Sequence, residues 1–196
     1  SLAGSNRLVP TSLELGGKSP NIVFPDVSSD DIDNIVDNVT FASMYCNGQS
    51  CLAGTRLFLH KTIYNDFLDR LIASMKRIQI ADPTNPFPLL GCLISEKQGK
   101  RVHSYIEHGK KHENLITGGG QVEVEGCASG WFFEPTIFEV DNKSKLAQEE
   151  IFGPVLSVLK WDDYDQMIGD ANDVRYGLAS GLYTHDLKLA WDTADR

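Results

Sequence analysis

The sequence predicts an α/β fold in which a largely parallel sheet is flanked by helices. Short runs rich in Val, Ile, Leu and Phe alternate along the chain with segments whose apolar residues recur at helical spacing. The helical segments are long enough to connect neighbouring parallel strands. A chain of 196 residues with 41% hydrophobic residues is also large enough to bury a sizeable core. These observations favour one α/β domain over residues 1–196.

Six segments are predicted as strands. Each is a short apolar run that turn-forming residues bound. Gly16 and Gly17 interrupt the first run, and the glycines at 118–120 end the third. In chain order the predicted strands are residues 13–24, 55–60, 115–117, 132–140, 155–161 and 178–184.

Five segments are predicted as helices, because their apolar residues recur every three or four positions. Ser28 or Ser29 is expected to cap the first helix, and Ser95-Glu96-Lys97-Gln98 has the form of a capping box for the third. Three prolines at residues 82–90 predict an irregular loop before that third helix. In chain order the predicted helices are residues 30–46, 63–78, 95–111, 163–172 and 186–196.

The charge of the chain limits its classes of partner. With 18 Lys and Arg against 27 Asp and Glu, the net charge is −9 at pH 7, which argues against nucleic acid or an anionic membrane. The sequence shows no apolar run that would cross a bilayer and no signal peptide. A phosphate-bearing cofactor stays compatible, because backbone N–H groups hold phosphate without net positive charge.

The four cysteines, Cys46, Cys51, Cys92 and Cys127, are predicted to be reduced thiols of a cytoplasmic protein. They form no C-x-x-C pair, and the histidines show no ligand spacing with them, so no metal site is expected. A disulfide between Cys46 and Cys51 is the alternative that this spacing leaves open.

Cys51 is the first candidate for chemistry. It follows the turn-forming residues 47–50 at the end of a predicted helix, where a backbone N–H is available to stabilise an oxyanion. A deprotonated thiol is a strong nucleophile. On spacing alone, a buried small apolar side chain is the more common fate of a cysteine.

Glu14 and Lys18 lie on either side of the glycine pair. Glu14 stands between two leucines, so either it faces solvent or it lines a site as a general base. Lys18 is predicted to be a solvated surface charge rather than the partner of a carboxylate.

A third patch, residues 148–155, has the sequence Gln-Glu-Glu-Ile-Phe-Gly-Pro-Val. Glu150 can accept hydrogen bonds from sugar hydroxyls, and Phe152 offers a flat apolar face to a ring. Taken alone, this patch is more simply explained as an acidic turn that starts a strand.

Five motifs in one order carry a family resemblance. They are Leu13-Glu14-Leu15-Gly16-Gly17-Lys18-Ser19-Pro20, Gly48-Gln49-Ser50-Cys51, Glu134-Pro135-Thr136, Glu149-Glu150-Ile151-Phe152-Gly153-Pro154-Val155 and Tyr176-Gly177-Leu178-Ala179. In order and rough spacing, over nearly the whole length, they resemble the catalytic domain of NAD(P)-dependent aldehyde dehydrogenases.

The resemblance implies that Cys51 is the nucleophile and Glu14 the general base. The thiolate would add to the carbonyl carbon of a small-molecule aldehyde, and the Cys51 N–H would donate to the resulting oxyanion. Loss of a hydride to NAD(P)+ would leave a thioester on the cysteine, and Glu14 would activate the water that hydrolyses it. The implied product is a carboxylic acid.

The resemblance also implies a cofactor, NAD or NADP. Glu150 matches the glutamate that holds the hydroxyls of the nicotinamide ribose, and Phe152 matches the aromatic residue beside the nicotinamide. Leu15 and Gly16 are expected at the same cofactor site. The parent protein is expected to be a homodimer or a homotetramer.

The family's dinucleotide-binding domain matches nothing in these residues. The chain is therefore expected to be a catalytic domain, truncated at both ends and nearly inactive alone. Two other hypotheses are a cofactor-independent thiol esterase or hydrolase that uses Cys51 and Glu14, and a relative that serves only as a binding module.

Overall fold

The computed structural model describes residues 9–86 and 90–196. The strands are β1 (Pro20–Val23), β2 (Arg56–His60), β3 (Asn114–Thr117), β4 (Gln121–Val122), β5 (Phe132–Phe133), β6 (Thr136–Glu139), β7 (Val155–Trp161) and β8 (Gly181–Tyr183). The helices are α1 (Ser29–Met44), α2 (Tyr64–Lys76), α3 (Glu96–His112), α4 (Lys145–Gln148), α5 (Tyr164–Asn172) and α6 (Leu187–Ala194), and a 3-10 turn (Tyr45–Gly48) follows α1. None of these helices is long and apolar enough to span a bilayer.

Six strands form one sheet in the spatial order β3-β6-β7-β2-β1-β8, while β4 and β5 pair separately. Neighbouring strands in the large sheet are parallel, except for β3 and β6, which are antiparallel. The register aligns Ile22 of β1 with Phe58 of β2, and Phe58 with Leu159 of β7. These three side chains therefore lie on one face of the sheet.

Helices cover both faces of this sheet. Phe58 packs in one core with Val102 of α3, whereas its neighbour Leu57 packs in the other core with Val36 of α1. Helices α1 and α2 thus form one layer, and α3, α4 and α5 form the other. Each fully buried Leu or Phe side chain contributes about 1.5–3 kcal/mol. The predicted α/β fold with a largely parallel sheet flanked by helices is confirmed.

Side chains at the helix starts explain where two helices begin. Ser28 occupies the N-cap of α1, as predicted, and its backbone N–H donates to the Asp31 carboxylate at 3.3 Å. Ser95 accepts from the Gln98 N–H at 3.2 Å at the start of α3. The Gln98 side chain does not return to Ser95, so only half of the predicted capping box forms.

Three predicted strands are wrong in extent, and the last of them, 178–184, is reduced to β8 (Gly181–Tyr183). Residues 13–18 make no backbone hydrogen bond to a strand, and Leu13 and Leu15 are 62% and 63% exposed, so β1 begins only at Pro20 and Glu14 lies outside it. The predicted strand at 132–140 is divided into β5 and β6, because Pro135 has no N–H to donate to a sheet.

Other bounds also differ from the predictions. Helix α1 ends at Met44, two residues early, because Tyr45 leaves the helical conformation and Cys46 and Asn47 are left-handed. The sequence does not predict the four-residue helix α4. Of the predicted irregular loop, residues 82–86 form turns and bends, and residues 87–89 lie outside the described residues.

Candidate active site

The segments that carry Gly16 and Gly17, Cys51 and Glu150 meet at the edge of the sheet where the parallel strands begin. Gly16 and Gly17 precede β1, Cys51 precedes β2, and Glu150 precedes β7. Since these three strands are adjacent and parallel, the segments that enter them reach the same edge. Gly17 and Glu150, 133 positions apart, are in contact for this reason.

Cys51 follows a turn with an uncommon backbone conformation. Cys46, Asn47 and Gly48 have φ values of 52°, 61° and 69°, in the left-handed region that residues with a Cβ rarely adopt. A Cβ on Gly48 would lie 2.2 Å from the carbonyl oxygen of Gly153. Glycine therefore lets this turn approach the loop that enters β7.

Hydrogen bonds to a neighbouring segment hold the same turn. The Asn47 side chain accepts from the Gly91 N–H at 2.7 Å and donates to the Cys92 carbonyl at 3.1 Å. The Gln49 side chain accepts from the Ile94 N–H at 3.0 Å. These partners stabilise the strained backbone that leads to the candidate nucleophile.

Cys51 is half-buried and carries a free thiol. Its carbonyl oxygen lies against Gly17, where a Cβ would be 1.9 Å away. Its backbone N–H donates to no group among the described residues, so it is available as an oxyanion donor. All four cysteines lie in described parts of the chain and are unpaired, so the alternative disulfide between Cys46 and Cys51 is absent.

The Glu150 carboxylate is bound to the glycine pair. One oxygen accepts from the Gly17 N–H at 2.8 Å, and a Cβ on Gly16 would lie 2.8 Å from the other. The Tyr176 ring lies against Gly16, and its hydroxyl accepts from the Glu150 N–H at 3.4 Å. Gly17 therefore contacts both the Glu150 carboxylate and the Cys51 carbonyl.

Helix α3 holds the loop of Glu150 and Phe152 by its carbonyl groups. The Gln98 side-chain amide donates to the Ile151 carbonyl at 3.0 Å and to the Phe152 carbonyl at 2.8 Å. The Arg101 guanidinium donates to the Glu150 carbonyl at 2.6 Å. These bonds stabilise Phe152 at a φ of 62°, a conformation that is unfavourable for an aromatic residue by itself.

Glu14 and Leu15 lie outside this contact network. Both side chains are exposed, and the Glu14 carboxylate has no hydrogen bond or ion pair with any residue that the structure describes. Of the two environments predicted for Glu14, the structure shows the solvent-exposed one. Its role as a base stays a prediction.

Lys18 is buried, with 2% of its surface exposed, so the predicted surface position is wrong. The fully buried Arg56 donates to the Lys18 carbonyl at 2.8 Å, and to the carbonyls of Asp170 and Ala171 at 3.0 and 2.7 Å. The hydrogen bond from Arg56 to the Lys18 carbonyl holds the segment before β1 in the interior. Burial lowers the pKa of Arg56 to about 10 and that of Lys18 to about 7.

The sequence by itself does not indicate a site role for Gln98, Arg101 or Tyr176. Gln98 and Arg101 are three residues apart and thus share a face of α3, and Tyr176 stands in one of the five motifs. The spacing of Gln98 and Arg101 indicates a polar face of α3, and the position of Tyr176 indicates a motif residue, but neither pattern indicates a contact partner. Only the tertiary packing shows that α3, through Gln98 and Arg101, and the segment before β8, through Tyr176, contact the Glu150 loop.

Replacing Gly17 by alanine is expected to destabilise the chain by about 3 kcal/mol, because the new Cβ would lie 1.9 Å from the Cys51 carbonyl oxygen. Urea unfolding followed by circular dichroism measures this. Gly169→Ala in α5 is the matched control, since its Cβ meets nothing within 4 Å and alanine favours the helix. Equal unfolding midpoints for Gly17→Ala and the unchanged chain would contradict the close contact.

The chain was compared with protein families and curated proteins. The model described as "Aldehyde dehydrogenase family" matches residues 1–196. A betaine aldehyde dehydrogenase of Mesorhizobium japonicum is 43% identical over 192 residues, which are 97% of this chain and 39% of that protein. A betaine aldehyde dehydrogenase of Brucella anthropi is also 43% identical, over 92% of this chain and 37% of that protein.

Solved structures of aldehyde dehydrogenases also superpose on this chain. A gamma-glutamyl-gamma-aminobutyraldehyde dehydrogenase from Burkholderia cenocepacia superposes with a TM-score of 0.88 at 41% identity, over 93% of this chain and 36% of that one. An aldehyde dehydrogenase from Bacillus cereus in complex with NAD+ superposes with a TM-score of 0.89 at 34% identity, over 98% and 38%. The chain thus spans between a third and two fifths of the length of these relatives.

Proposed function

Because the chain belongs to the aldehyde dehydrogenase family, we propose that it is the thiol-bearing catalytic part of an enzyme that oxidises an aldehyde to a carboxylic acid with NAD(P)+. The observation that carries this proposal is the position of Gly17, which contacts the Cys51 carbonyl and binds the Glu150 carboxylate. A candidate nucleophile and a candidate ribose ligand are thereby held at one backbone segment.

The residues at this site suit a nicotinamide nucleotide. The Glu150 carboxylate accepts one hydrogen bond from Gly17 and keeps further acceptor capacity for ribose hydroxyls. Phe152, which α3 holds by its carbonyl, would present a flat apolar face to the nicotinamide ring. Leu15 and Gly16 are proposed to line the same cofactor site. When bound, the cofactor supplies the oxidised ring that accepts the hydride.

Cys51 and Glu14 would carry the covalent steps. The Cys51 thiolate adds to the aldehyde carbon, and the Cys51 backbone N–H donates to the oxyanion that forms. After hydride loss the acyl group remains on sulfur as a thioester. Glu14 takes a proton from water, which attacks the thioester and releases the acid. The exposed Glu14 carboxylate is accessible to that water.

The proposal concerns a longer protein in which this chain is the catalytic domain and a separate domain binds most of the dinucleotide. Its support is the length of the relatives, of which this chain covers 36–39% in the proteins cited above. A homodimer or homotetramer is the proposed assembly. The cytoplasm is the proposed compartment, since four unpaired thiols suit a reducing environment.

Aldehyde-dependent reduction of NAD+ or NADP+ by the full-length protein tests this proposal. The panel of aldehydes would include betaine aldehyde and indole-3-acetaldehyde, which appear in the names of relatives. We expect turnover by the full-length protein and almost none by the 196-residue chain alone. No cofactor reduction by the full-length protein with any aldehyde would contradict the proposal.

A further inference from the structure

We propose that Lys18 is a positioning residue whose buried positive charge holds the Glu150 carboxylate in the orientation that binds the cofactor ribose. The inference rests on the proposed function, because it concerns the ribose ligand of that same site. It assigns a role to a charged side chain that neither the covalent steps nor the cofactor contacts described above use.

The Lys18 side chain is unusual because it is a buried lysine whose ammonium lacks a hydrogen bond to any described residue. Only 2% of the residue is exposed, and its ammonium nitrogen has no hydrogen-bond partner among residues 9–86 and 90–196. The neighbouring buried cation, Arg56, donates to backbone carbonyls and to the Asn142 side chain. Within the described part of the chain, no hydrogen bond compensates the burial of the Lys18 ammonium.

Lys18 is adjacent in sequence to a residue that binds Glu150. Its backbone follows Gly17, whose N–H binds the Glu150 carboxylate at 2.8 Å. Among the charged groups around the Lys18 ammonium, Arg56 disfavours its charge, whereas Glu150 and Glu149 favour it without a hydrogen bond to it. Lys18, Arg56 and Tyr176 line a cavity of about 260 Å³, and the Tyr176 hydroxyl accepts from the Glu150 N–H at 3.4 Å.

These charges give a physical reason for a lysine at position 18. A methionine has a similar length and no charge, so it would fill the space without the cost of a buried ammonium. The charge has a use only if it acts on a nearby group. Attraction between Lys18 and Glu150 in a poorly solvated environment opposes rotation of the carboxylate away from Gly17.

The charge on Lys18 changes near neutral pH, because burial lowers its pKa to about 7. Below this pH the side chain is charged and the carboxylate is held, whereas well above it the side chain is neutral and the attraction is lost. The KM for the cofactor is therefore expected to rise with pH as Lys18 loses its charge.

The test compares the full-length enzyme with its Lys18→Met variant at about pH 6 and pH 9. We expect the variant to raise the cofactor KM roughly tenfold at the lower pH and less than about twofold at the higher pH, with little change in kcat. The melting temperature should not fall, since an unpaired buried charge is removed. Lys76→Met, at the exposed end of α2, is the matched control.

Two outcomes would overturn the inference. One is a cofactor KM that Lys18→Met leaves unchanged at both pH values, and the other is a fall in kcat and melting temperature that does not depend on pH, which marks a structural role. A parallel Glu150→Gln variant separates the two proposals. If it raises the cofactor KM while Lys18→Met does not, only the role of Lys18 fails; if it has no effect, the proposed ribose contact fails as well.

Discussion

Replacing Cys51 by alanine is expected to reduce aldehyde oxidation by the full-length enzyme by about four orders of magnitude or more. An aldehyde does not readily lose hydride until a nucleophile has added to its carbonyl carbon, so removal of the thiol blocks the redox step itself. The rate of cofactor reduction at saturating aldehyde measures the effect. Intact-protein mass spectrometry should also show no acyl group on the variant.

Cys127→Ala is the matched control for this variant. Cys127 is also a half-buried free thiol, but it lies in the loop between β4 and β5. We expect its activity to equal that of the unchanged enzyme. Aldehyde oxidation that survives in Cys51→Ala would refute the assignment of the nucleophile. Cysteine-dependent ester hydrolysis without any aldehyde oxidation would instead favour the cofactor-independent thiol esterase.

Replacing Glu14 by glutamine is expected to lower steady-state turnover by about 100- to 10,000-fold while leaving the first turnover fast. Glutamine cannot take the proton from water, so the thioester on Cys51 should accumulate. Rapid mixing should then show a burst of reduced cofactor that approaches one equivalent per active site. Mass spectrometry should detect the acyl group on the enzyme.

Glu123→Gln provides the comparison for that experiment, since Glu123 is an exposed glutamate in the loop after β4. It should show neither a burst nor a loss of turnover. If Glu14→Gln turns over at the normal rate, another group must activate water. If it loses the burst together with turnover, Glu14 acts before the thioester forms and the assigned role is wrong.

Local sequence features predicted much of the fold. Strand β7 has the predicted bounds, 155–161, because a strand that is buried at six of its seven positions needs mostly apolar residues. The serines that begin α1 and α3 were recognised because an N-cap depends on a few adjacent residues. Parallel pairing followed from the alternation of strands and helices.

The errors occurred where distant contacts outweigh local preference. Residues 13–18 resemble a strand but have no neighbouring strand to pair with, so Leu15 remains exposed. The charge of Lys18 predicts a surface position, whereas Arg56, which is 38 residues away, binds the Lys18 carbonyl inside the protein. Gln98 was recognised as a capping residue, but its side chain binds the Phe152 loop instead.

The sequence by itself determined the class of fold and the chemical identity of the candidate groups: a thiol at 51, carboxylates at 14 and 150, and an aromatic ring at 152. Periodicity and side-chain chemistry are local properties, so they can be recognised along the chain. Only the tertiary structure decided which groups meet. The contact of Gly17 with Cys51 and Glu150, and the burial of Lys18, arise because three adjacent parallel strands begin at one edge of the sheet.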